Sequence, residues 1–136
     1  MQIQHILAPI SLGELIDKIT ILKIKTRHCQ GASLRNVEAE LDCLEAILKR
    51  IRVTVNPTLI QELQAVNQDL WTIEDEIRSQ EHKKDFGEIF IHLARSVYLK
   101  NDQRSTIKQK INTIYDSTII EEKLYKYYGQ NSNSHD

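Results

Sequence analysis

A chain of 136 residues, 40% hydrophobic and 27% charged, is one globular domain, long enough to bury roughly two thirds of its unfolded surface without staples. With 18 basic residues against 19 acidic ones it lacks the basic excess of a nucleic-acid binder. Cys29 and Cys43 show no C-x-x-C spacing and no partner histidines, so neither a disulfide framework nor a zinc site is indicated and the two read as buried free thiols.

Met1 to Ile10 lacks the cationic start and long apolar run of an export signal, and no segment approaches the ~20 apolar residues of a membrane span. The chain is therefore read as cytoplasmic, with no membrane partner. Only four glycines and two prolines occur, and they fall between amphipathic stretches, so the expected class is all-α. Ser11 with Glu14 forms a capping box that opens a first helix, and Gly31 after Cys29 is its left-handed stop. This helix is apolar on two faces, one with Leu12, Leu15, Ile16, Ile19 and Leu22, the other with Ile21 and Ile24. It is expected inside the bundle, carrying Asp17 inward with Glu14 nearby.

Ser33 or Asn36 can cap a second helix whose apolar residues, from Leu34 to Ile51, follow steps of three and four. Asn56 before Pro57 is an N-cap with proline at the first helical position, opening a third helix in the same rhythm from Leu59 to Ile77. Matched seams and a short connection predict that the second and third helices form an antiparallel hairpin. Asp85 with Glu88 predicts another capping box, and helix 4 runs from there to about Tyr115. Ile119 to Tyr128 fits a short helix or an extended segment equally. The polar stretch 130–136 reads as a disordered tail after a single domain over 1–129. The whole is a compact antiparallel bundle of four main helices with a short C-terminal element.

Helix 4 holds the most informative irregularity. Its apolar stripe Phe86, Phe90, Leu93, Ala94, Val97 is broken by Asn101, Arg104 and Lys108 before resuming at Ile111. All lie within about 60° of one line, so two cations and an amide take core-facing places where an uncompensated charge costs several kcal/mol. On the third helix Asn67 and Glu74 flank the seam, with Trp71 and Arg78 beside them. If helices 1, 3 and 4 meet, Asp17, Asn67 and Glu74 are the natural partners of Asn101, Arg104 and Lys108. Arg95, Tyr98 and Asp102 form a second cluster on the outer side of helix 4, which reads as a surface ion pair with an aromatic lid. No Glu-x-x-His pair, H-E-x-x-H, P-loop or G-x-S-x-G elbow is present. The acidic stretch Glu74, Asp75, Glu76, Glu81 with His82 points to different sides of a helix, as a solvated face does, so neither a metal nor a cofactor is expected.

Four stretches, taken together, carry a likeness. They are Gly13 to Leu22, Val66-Asn67 through Trp71 to Asp75, Asp85-Phe-Gly87 through Leu93 and Tyr98 to Arg104, and Glu121-Glu-Lys123 with Tyr125. They resemble a family of small, uncharacterised bacterial all-helical proteins, a domain of unknown function. The resemblance covers all but the tail; it implies a bacterial, cytoplasmic protein and brings no activity with it. The first helix is also similar to that of the all-helical chorismate mutases through Ile16-Asp17, Ile19, Leu22 and Arg27. Those enzymes hold a dicarboxylate with Arg and Lys between helices. Gly13 stands where their arginine would be, and Thr20 replaces a second acidic residue.

Two functional readings follow. In the first, the chain is a small helical binding or interaction module whose buried polar layer fixes helix register and whose heptad seams continue into a protein partner or a second copy. In the alternative, Asp17, Asn67, Glu74, Asn101, Arg104 and Lys108 line a site for a small carboxylate or phosphate, with a chorismate-mutase-like reaction as its catalytic version. The sequence itself assigns no reaction.

Overall fold

Leu15, Ile16, Ile19, Leu22 and Ile24 are all almost completely buried, which requires neighbours on more than one side of the helix that carries them. In the computed structural model, which describes residues 1–124, that helix is α1 (Leu12–Thr26), and it alone touches all the others. The remaining helices are α2 (Gly31–Arg50), α3 (Pro57–Lys83) and α4 (Glu88–Ile114), with no strand among the described residues. Pairing of Gly13 with Asn112, Glu14 with Lys108 and Asp17 with Arg104 shows that α1 and α4 run antiparallel. The centre is a cluster of Ile16, Val55, Leu59, Leu63 and Ile111, flanked by Leu48, Ile60 and Tyr115. None of the four helices is long and apolar enough to cross a membrane.

The expected helix starts hold where a side chain can reach the free backbone amides. Ser11 Oγ accepts from the Glu14 N–H at 3.0 Å, and Asn56 Oδ1 accepts from the Thr58 N–H at 3.0 Å ahead of Pro57. Two starts differ. Gly31 has the left-handed φ of +62° but is also the first residue of α2, so Ser33 and Asn36 lie inside the helix and cap nothing. The Asp85 carboxylate accepts from the Gly87 N–H at 3.2 Å and so stabilises the turn, leaving Gly87 as an N-cap without a side-chain bond. Phe86 thus precedes the helix; it is 51% exposed and packs edge-on against Phe90.

The hairpin predicted for the second and third helices does not form. α2 packs on α1 alone, and α3 pairs with α4 instead. The heptad rhythm of α2 is real, but its apolar residues are only half-buried, and beside them an apolar groove of about 930 Å³ opens between α2, residues 5–12 and the 115–118 turn. Cys29 and Cys43 are likewise half-buried rather than buried, as free thiols. After Tyr115 the chain continues to Leu124 without helix or strand. Tyr125 to Tyr128 and the tail 130–136 lie outside the described residues.

Candidate functional site

Three helices converge on Asp17, whose side chain is 1% exposed. Its Oδ1 accepts from Arg104 Nε and from Asn67 Nδ2, both at 2.9 Å, and its Oδ2 accepts from Arg104 Nη2. The guanidinium therefore grips the carboxylate with two adjacent donors, the planar match that lysine cannot make. Asn67 spends its second amide hydrogen on Thr20 Oγ1 at 2.9 Å, while Thr20 donates to its own helix at the Asp17 carbonyl. The buried charge is thus ion-paired and hydrogen-bonded on both oxygens, as burial of an ion demands.

One turn further along α4, Lys108 donates to Glu14 Oε2 and stands 3.9 Å from Asp17 Oδ2. Its side chain is 13% exposed, so it too is held inside the layer. The close approach of α1 to α4 that this requires depends on Gly13. A Cβ there would lie 2.6 Å from the Lys108 carbonyl oxygen, and the Gly13 N–H instead donates to Asn112 Oδ1 at 2.7 Å. Fully buried Asn112 also donates to Glu121 Oε2 at 3.1 Å, and Glu121 Oε1 accepts from Ser11 Oγ. The residue that caps α1 thereby anchors the irregular segment after α4.

Both titrating shifts in this region have a clear origin. The hydrogen bond to Asp17 raises the Arg104 guanidinium above its already high value; burial works against it, and the charges of Asp17, Glu14 and Glu74 add to it. Burial on its own would raise the Glu121 carboxyl. Hydrogen bonds from Ser11, its own backbone N–H and Asn112, together with the charge of Lys108, outweigh that and hold it below the usual carboxylate range.

The Arg104 side chain is itself 28% exposed. Arg104 Nη1 has only a long 3.5 Å contact to Asn101 Oδ1. Arg104 also lines a recess of about 170 Å³, together with Asn101, Ser105, Lys108, Gln109, Glu121 and Lys123. Three of those side chains are cationic and one is anionic, while Asp17 and Glu14 sit behind them.

Of the six candidate residues, the structure brings together Asp17, Asn67, Asn101, Arg104 and Lys108. Glu74 is exposed and reaches Arg104 only through its field. Its place as second carboxylate is taken by Glu14, which the sequence put nearby but not opposite Lys108. Asn101, Ser105, Lys108 and Asn112 repeat at four, three and four residues, a polar line whose rhythm points to Asn112. Glu121 belongs to no periodic element and gives no such signal. Arg95, Tyr98 and Asp102 do not line the recess. Arg27 is exposed past the end of α1, so of the mutase-like pattern only Asp17 reaches the layer. No group of three potential metal ligands occurs among the described residues.

Fold and layer define a four-helix bundle clamped by a buried Asp–Arg–Asn set with a small polar recess on its flank. The chain belongs to a family of unknown function, DUF6165, whose model matches residues 6–134. No curated protein and no solved structure matches it.

Proposed function

We propose that this chain is a small binding module whose ligand is a small oxyanion, a phosphate or a compact carboxylate, received in the recess beside Arg104. The observation that carries the reading is the orientation of Arg104. Asp17 fixes the guanidinium through Nε and Nη2, Nη1 is left with its long contact to Asn101, and Arg104 lines a recess that Lys108 and Lys123 share. An arginine held this way loses little side-chain entropy on meeting an anion, and its planar donors suit oxygen pairs. Asn101, Ser105 and Gln109 add neutral polar groups at the rim.

Buried Asp17 and half-buried Glu14 serve as scaffold. Asp17 and Glu14 already face Arg104 and Lys108, so neither is offered as a general base. The free thiols of Cys29 and Cys43 suit a reducing cytoplasm, where the module is taken to work. A thermal-shift series with inorganic phosphate, sulfate, acetate and malonate tests the reading. It expects at least one oxyanion to raise the wild-type midpoint and the Asn101→Ala and Lys123→Ala variants, folded as before, to respond less. A wild-type midpoint unmoved by every anion, against a matched chloride control, contradicts it.

A further inference from the structure

The two longest helices outreach the bundle. α1 has 15 residues and α3 and α4 have 27 each, so at 1.5 Å per residue the α3–α4 hairpin extends about 18 Å past the length of α1. The level at which α1 ends is marked by His28, which stacks on Trp71 at a ring separation of 4.6 Å. From Trp71 to His92 no residue is buried.

One line of α3 crosses that level. Asn67, Trp71, Glu74 and Arg78 repeat at four, three and four residues and share a face. At its root this face meets α1, through Asn67 on Asp17 and Trp71 on His28. Further out the same face continues as Glu74, Arg78 and Glu81, all exposed. Beside it the apolar residues Ile73, Ile77, Phe90 and Val97 are only half-buried, because two helices alone cannot close a seam on both sides.

We propose that a second copy of this chain covers the face, the two α3–α4 arms packing antiparallel about a two-fold axis into a four-helix bundle. An isologous contact requires self-complementary positions, and Glu74 with Arg78 supply such a pair on this face. Glu74 and Arg78 have opposite charge, lie one turn apart and form no ion pair among the described residues. With the axis passing near Glu76, Glu74 of each copy stands opposite Arg78 of the other, and Ile73, Ile77 and Phe90 come under the opposing arm. The pairing is independent of the anion recess, which lies nearer the other end of α4.

Sedimentation equilibrium on the wild-type chain tests the assignment. A reversible dimer is expected at tens of micromolar, roughly the range in which a modest interface of this kind associates. Glu74→Arg and Arg78→Glu each place like charges opposite and are expected to weaken the dimer at least about tenfold, while the double variant Glu74→Arg/Arg78→Glu returns it to within about threefold of wild type. Both positions are exposed, so helicity by circular dichroism is expected to stay unchanged throughout. A wild-type chain that remains monomeric up to about 200 µM overturns the proposal. So does a dimer that the single variants leave intact, or one that the double variant fails to recover.

Discussion

Arg104 and Asp17 decide how this bundle is built. Arg104→Met leaves a carboxylate with a 1% exposed side chain facing two helices without its main partner, which is expected to cost about 3–5 kcal/mol in urea unfolding. The double variant Asp17→Leu/Arg104→Met removes both charges at similar volume and is expected to recover most of that loss. Equal destabilisation by the single and double variants speaks against a layer held by this pair. Glu121 makes a different contribution. Its carboxyl is held below the usual range in the folded chain, so the ionised form stabilises above about pH 4.3 and that stabilisation fades as the pH falls through the lowered value. Between about pH 5 and pH 3 the wild-type melting temperature is therefore expected to drop more than that of Glu121→Gln. Parallel curves for the two proteins would remove Glu121 from the stabilising set.

Among the elements, α1 and α4 depend on one missing side chain. Gly13→Ala puts a methyl group against the Lys108 carbonyl and Asn112 Oδ1, and is expected to cost about 1–3 kcal/mol by forcing the helices apart. An unchanged unfolding midpoint would show that the approach relaxes freely. Much of this level was legible in the sequence, because hydroxyl and amide caps, proline at a first position and three-and-four rhythms act over a few residues. Ser11, Asn56 and Pro57 therefore mark their helix starts correctly. Pairing of helices is a different matter. The rhythms of α2 and α3 match one another, yet a rhythm says which face is apolar and not which neighbour covers it, so α2 went to α1 and α3 to α4. The same limit explains Glu74. It shares a face with Asn67, but α1 stops short of it, and the length of one helix relative to another cannot be read from phase.

At the scale of the whole molecule, a central α1 draws an inward carboxylate against an arginine and a lysine, and the longer α3–α4 hairpin extends past it. The candidate site was legible to the extent that a broken apolar stripe demands partners, which identified five of the side chains that meet. Its outer wall was not, because Glu121 and Lys123 arrive on a segment without periodicity that is placed by Ser11 and Asn112. The central claim is that Arg104 is clamped on one edge and offered to an anion on the other. It is tested most directly by following the guanidinium resonances of Arg104 by nitrogen-15 NMR during titration with inorganic phosphate. A slowly exchanging Nε–H that barely moves and Nη1 signals that shift saturably are expected. Nη1 signals that stay fixed throughout the titration, or an Nε–H that exchanges as fast as that of a surface arginine, would contradict it.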